Sequence, residues 1–227
     1  FLKDQTMRGA FVQASFRSSA AVMGLAFIQN MYGSSAMGPL MIVGAVPLYN
    51  IYSVLVLTFE ANEEDGRQGA GKIKQAGINI LKNPIILSIA LGLAVSLLRL
   101  DFPVLIDKTI NNVASMATPL ALITLGAGFE GKKALAKIKP TLVAAFIKLV
   151  AQAAVFIPVA IHFGFTGEKL IAIMVMLAAP ATPSCYIMAK SMKNDDVLTA
   201  SIIVVTTLLA AFTLTGWIFI LRTMGYI

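Results

Sequence analysis

The residues able to do chemistry in this chain are few, and they lie inside apolar stretches. Leu177-Ala-Ala-Pro-Ala-Thr-Pro-Ser-Cys-Tyr186 places two prolines three residues apart, with the hydroxyls of Thr182, Ser184 and Tyr186 around them. Each proline lacks an N–H and clashes with the carbonyl four residues back. A helix through Pro180 and Pro183 must therefore break, stopping near Ala179 and restarting near Ser184. A broken helix at membrane depth offers backbone donors at its new N-terminus, and these can hold an anion. A simple kink filled by neighbouring side chains is the alternative. Two basic residues sit in comparably apolar surroundings. Arg17 stands in Phe16-Arg-Ser-Ser-Ala-Ala-Val-Met-Gly-Leu-Ala-Phe27, and Lys148 has Gln152 one turn further on the same helical face. A fixed positive charge facing a cavity would attract an anion, whereas snorkelling to the headgroups is the plainer reading of both. The candidate substrate-binding set is Arg17, Ser18, Ser19, Lys148, Pro180, Thr182, Pro183 and Ser184.

Other chemistry is poorly provided for. The single cysteine, Cys185, excludes a disulfide framework and a Cys-rich metal site. The single histidine, His162, falls at an outer helix end with no acidic partner on its span. No catalytic residue, metal ligand set or cofactor is expected, and an integral membrane enzyme is the weaker alternative, since it would need a nucleophile–base or metal constellation. A retinal-type protein would need a lysine in the final span, and Val197–Leu221 has none. A channel-like anion pathway is the nearest mechanistic rival, distinguished by turnover rather than by sequence.

The elements that must position these residues are membrane helices. Of 227 residues, 58% are hydrophobic and only 13% charged, and mean hydropathy is +0.83. A soluble fold cannot cover that much apolar surface, so the chain is an all-α integral membrane protein. Apolar runs near twenty residues exclude an outer-membrane barrel and a merely interfacial protein. Seven spans are expected, at Val12–Met31, Pro39–Phe59, Pro84–Leu100, Val104–Phe129, Thr141–Phe163, Leu170–Ala189 and Val197–Leu221. Pro47, Pro119 and Pro158 are expected to kink their spans, and Gly126 and Gly128 to permit close packing. Asn50 is expected to make an interhelical hydrogen bond. Glu60–Asn83, acidic and then basic around three glycines, reads as a linker between two bundles. The chain opens on Phe1 with no signal peptide, which reads as the later part of a longer protein.

The net charge of +7 would suit nucleic acid, but its placement accounts for it otherwise. Twelve basic residues, among them Arg8, Lys132, Lys133, Lys137, Lys139, Lys190 and Lys193, fall to one side of the expected membrane. Four, Arg99, Lys108, Lys169 and Arg222, fall to the other. The excess orients the N-terminal end to the cytoplasm and the C-terminus outside. All eleven acidic residues are read as lying outside the spans. Within this stretch that leaves no carboxylate proton relay and no carboxylate cage for Na⁺.

Ser19–Leu57 and Pro183–Leu221 share an outline: a broken or small-residue span, a short polar connector, and a long apolar span. At their constant offset only Asn30/Asn194, Ala36/Ala200 and Leu57/Leu221 match, which is chance level. The expected topology makes the pair inverted, and weak inverted repeats mark secondary transporters.

In this order and spacing, the segments resemble the auxin efflux carrier family, whose bacterial members are described as malate or malonate permeases. Phe16–Phe27 is similar to one family segment, Leu81–Leu93 to the helix after the central loop, and Pro119-Leu-Ala-Leu-Ile-Thr-Leu-Gly-Ala127 is the most distinctive match. Pro180–Lys190 with Asn194-Asp195 resembles the family's second broken helix. Ser19 stands where the family often has asparagine and Ala26 where it often has proline. The resemblance implies ten spans in two inverted five-helix repeats, with two broken helices crossing at the substrate site. This chain would carry about seven of them: residues 1–59 the last two helices of the first repeat, 60–83 a cytoplasmic linker, and 84–227 the second repeat. It further implies a secondary permease or efflux carrier of small organic anions in the cell (plasma or inner) membrane. Coupling to H⁺ or Na⁺ and pairing into a homodimer are both compatible with that reading.

Overall fold

The computed structural model describes residue 2 and residues 4–33, 36–60, 77–78 and 81–227. Most of the expected linker, including its acidic and glycine-rich part, lies outside these residues. Twelve α-helices are described: α1 Gln5–Phe16, α2 Leu25–Tyr32, α3 Met37–Glu60, α4 Pro84–Leu97, α5 Val104–Ser115, α6 Ala117–Ala127, α7 Gly131–Ala136, α8 Ile138–Phe146, α9 Gln152–His162, α10 Gly167–Ala178, α11 Ser184–Ser191 and α12 Asp196–Thr223. A π-helical turn at Ala20–Gly24 runs into α2, and a second at Ile147–Ala151 joins α8 to α9. No strand occurs among the described residues, and one isolated antiparallel bridge joins Ser18 to Ala181.

Among the described residues, four helical stretches are long and apolar enough to cross a membrane: Met37–Glu60, Val104–Ala127, Ile138–His162 and Asp196–Thr223. Ile86–Leu97 is apolar but shorter. The remaining two expected spans, the first and the sixth, are the broken ones. The first also begins earlier than hydropathy suggests, at Gln5. Asp4 caps it, accepting from the Thr6 amide at 2.9 Å and the Thr6 hydroxyl at 2.7 Å. These bonds hold the Asp4 carboxyl below its ordinary range. Asp195 caps the last span in the same way, accepting from the Leu198 amide at 2.9 Å.

The prolines act differently from one another. Pro47 and Pro158 lie inside unbroken α3 and α9. Pro119 lies in the first turn of α6, just past the joint at Met116 where α5 ends. Its missing N–H is tolerated there because first-turn amides have no intrahelical partner. Asp107 corrects the reading that no carboxylate enters a span. It sits in the first turn of α5, near the helix end, and accepts from Asn111 at 3.2 Å. Gly128 does permit close packing, since a Cβ there would strike the Tyr186 hydroxyl, while Gly126 faces open space.

The core has two main apolar clusters. One gathers Ile28, Met41, Leu149, Ile157, Ile171, Met174 and Ala179, and the other gathers Ala14, Ala144, Ala181, Cys185, Tyr186 and Ile202. The two breaks fall where these clusters meet. α1 packs on α3 and α12, and α10 packs on α3 and α9. Burial is uneven: half of the most apolar window of Asp196–Thr223 is buried, against 6% for Val104–Ala127.

Candidate substrate site at the crossing of two broken helices

α1 ends at Phe16, and Arg17 leaves the helical region for an extended conformation. Ser18 and Ser19 continue the break before the chain re-enters the π turn at Ala20. α10 ends at Ala178, Ala179 is extended, and α11 restarts at Ser184, as the two prolines require. The two gaps cross and hold each other. The Ser19 amide donates to the Pro180 carbonyl at 2.9 Å, and the Ser18 hydroxyl donates to the Ala179 carbonyl at 3.1 Å. The Ala181 amide is taken up by the Thr206 hydroxyl of α12 at 3.2 Å. Backbone groups that a continuous helix would satisfy internally are thus paired across the crossing.

Four half-helix ends converge here, and their polarity sorts the charged residues. The restarting N-terminal ends, at Ala20 and at Ser184, have no side-chain cap. Between them lies a cavity of about 100 Å³ lined by Arg17, Ser18, Ser19, Ala21, Val46, Tyr49, Thr182 and Ser184. Helix N-termini carry partial positive charge and favour anions. The closing C-terminal ends, at Phe16 and Ala178, carry the opposite partial charge. Against them lies Lys148, fully buried, donating from Nζ to the carbonyls of Leu177 at 3.0 Å, Phe16 at 3.2 Å and Met176 at 3.5 Å.

Arg17 is 5% exposed, so snorkelling is excluded for it as it is for Lys148. Its guanidinium is held from α3 by Asn50 Oδ1 at 2.7 Å and Ser53 Oγ at 3.3 Å, and it also reaches the Met188 sulfur. All of these partners are neutral. The ion pairs Arg8–Glu60, Lys133–Glu130, Lys137–Asp195 and Lys190–Asp196 lie elsewhere. Among the described residues no cluster of metal-binding side chains occurs.

Of the eight candidate residues, Arg17, Ser18, Ser19, Thr182 and Ser184 line one cavity. Pro180 contributes its carbonyl to the crossing, Pro183 precedes the restarting helix, and Lys148 lies on the carbonyl side rather than at the cavity wall. Sequence reasoning missed Tyr49 and Ser53 and took Asn50 for an ordinary interhelical bond. Asn50 does bond beyond α3, accepting from the Arg17 guanidinium in the first break, while its own amide donates to the Val46 carbonyl at 2.8 Å. Val46, Tyr49, Asn50 and Ser53 recur at helical spacing on one face of α3, a periodicity that carries a polar stripe into an apolar span. Gln13, one turn before Arg17 on α1, is also buried, with its Oε1 unpartnered.

A family model described as membrane transport protein matches residues 1–218. The chain belongs to that family, the auxin efflux carrier family. It is an all-α membrane transporter, and its two broken helices meet at the bridge between Ser18 and Ala181. The first break is complete with Ser19 and Ala26 in place, the two positions at which the resemblance leads to the expectation of a less sharp break. No curated protein and no solved structure matches the chain.

Proposed function

We propose that this transporter carries small organic anions, carboxylates foremost, by secondary active transport across the plasma membrane. The observation that carries the reading is a buried guanidinium at a cavity set between two uncapped half-helix N-termini, with only neutral protein partners. Removing a charge from water costs several kcal/mol unless an opposite charge or hydrogen bonds offset it. Asn50 and Ser53 supply part of that compensation, and a bound carboxylate would supply the rest. The cavity is small and its hydroxyls, from Ser18, Ser19, Thr182 and Ser184, suit carboxylate oxygens.

The repeat reading has parallel support. In residues 1–59 a broken helix is followed by long α3, and within 84–227 a broken helix is followed by long α12. The orientation proposed is the cytoplasmic N-terminal end and external C-terminus of the charge count. Arg8 pairs with Glu60 and Lys137 with Asp195, so these charged helix ends share one end of the bundle. The Gly167 amide bonds the Tyr226 carbonyl at 2.7 Å at the other. With Cys185 replaced, single cysteines at positions 132 and 169 should react with an impermeant thiol reagent from opposite sides; reaction of both from one side would overturn the orientation.

The function is tested by uptake of a panel of radiolabelled mono- and dicarboxylates into proteoliposomes holding the full-length protein, with and without H⁺ and Na⁺ gradients. Gradient-dependent accumulation of a carboxylate is the expected result. Uptake of neutral or cationic solutes alone would overturn it, and fluxes too fast for an alternating cycle would favour the channel.

A further inference from the structure

Lys148 lies near the middle of the fifth span, within the π turn Ile147–Ala151, and is fully buried. Its three carbonyl partners belong to two different elements, Phe16 ending α1 and Met176 and Leu177 ending α10. An ammonium has three donors and no acceptor, so three carbonyls use its whole capacity. Last-turn carbonyls have no intrahelical donor, and a cation there also meets the negative end of the helix dipole. One side chain thus serves two helix ends that approach from opposite directions. The residue after Phe16 is Arg17, whose guanidinium reaches Asn50 and Ser53 beside the cavity.

We propose that Lys148 is a positioning residue that pins the carbonyl ends of both broken helices and, through Phe16, sets Arg17 at the cavity, without itself touching the transported anion. The second half of this statement rests on the anion reading above; the pinning of the two ends does not.

The test uses the full-length protein in nanodiscs, with Lys148→Met and Lys148→Gln. Amide hydrogen exchange is followed in peptides covering residues 17–24 and 179–185, with residues 200–215 of α12 as the internal control. Lys148→Met should raise exchange about tenfold or more at both breaks and leave the control unchanged. Lys148→Gln keeps two N–H donors without the charge and should fall between it and the native protein. Exchange unchanged at either break, with the variant folded, overturns the pinning. Should Lys148→Met fail to fold, Lys148→Gln carries the test.

A binding arm reads the link to Arg17, with radiolabelled succinate as probe. Arg17→Met and Lys148→Met should each weaken binding by about tenfold or more, and the double variant should match Arg17→Met within about twofold. Losses that multiply would make Lys148 an independent contributor and overturn the positioning role. Failure of the native protein to bind succinate would count against the anion reading, and the exchange measurements would still decide whether Lys148 pins both ends.

Discussion

The two breaks at the crossing look alike in space and differ in origin. The second contains Pro180 and Pro183, and an unbroken helix through both is sterically excluded, so this break is local. The first, Arg17-Ser18-Ser19, contains no proline or glycine, and nothing in those three residues forbids a helix. It opens because partners elsewhere reward the opened form. Pro180 accepts the Ser19 amide, Ala179 accepts the Ser18 hydroxyl, Asn50 and Ser53 hold Arg17, and Lys148 takes the Phe16 carbonyl. One break is written in covalent geometry and the other in tertiary contacts, and the first depends on the second for its Pro180 and Ala179 acceptors.

That dependence can be broken from the proline side. Pro180→Ala together with Pro183→Ala should allow α10 and α11 to join, because an interior proline costs a helix about 3 kcal/mol. The protein should fold while carboxylate uptake falls about a hundredfold or more, since donors at the restarting end would be drawn back into the helix. Undiminished uptake by the double variant would mean that the prolines merely bend the chain. Thr206→Val should have a smaller effect. It leaves the buried Ala181 amide without its acceptor, a loss of about 1–3 kcal/mol, readable as a lower unfolding temperature with unchanged helix content. A thermal midpoint equal to the native one would show that the second break needs no support from α12. Ser18→Ala should have the smallest effect, about 0.5–1.5 kcal/mol, because the hydroxyl bond to Ala179 goes but the Ser19–Pro180 bond stays. Regaining helical exchange protection across residues 17–19 would place the origin of the first break in that one hydroxyl.

The same contrast explains what could be foreseen. The stop at Ala178 and restart at Ser184 were legible because proline acts on its own backbone. The last span and its Asp195 cap were legible because hydropathy and capping are also local. The half-helix Gln5–Phe16 was not, since Gln5, Arg8 and Gln13 lower its hydropathy and the burial of Gln13 depends on α3 and α11. Arg17 and Lys148 stood out as charges in apolar surroundings, which is a property of sequence. Which of them faces the cavity and which faces the carbonyls depends on the polarity of helix ends brought together from three separate segments. Asn50 looked ordinary for the same reason, its partner being 33 residues away.

The wide turn at Ile147–Ala151 gives the fifth span one residue more than a regular helix of its length would hold. Each residue of an α-helix advances about 100° around its axis. Removing one residue from this turn would let it close into a regular turn, so the flanking helices would keep their facing while the widened turn that bears Lys148 would be lost. The segment's length, counted residue by residue, thus decides whether the lysine sits on a widened turn or on a regular one.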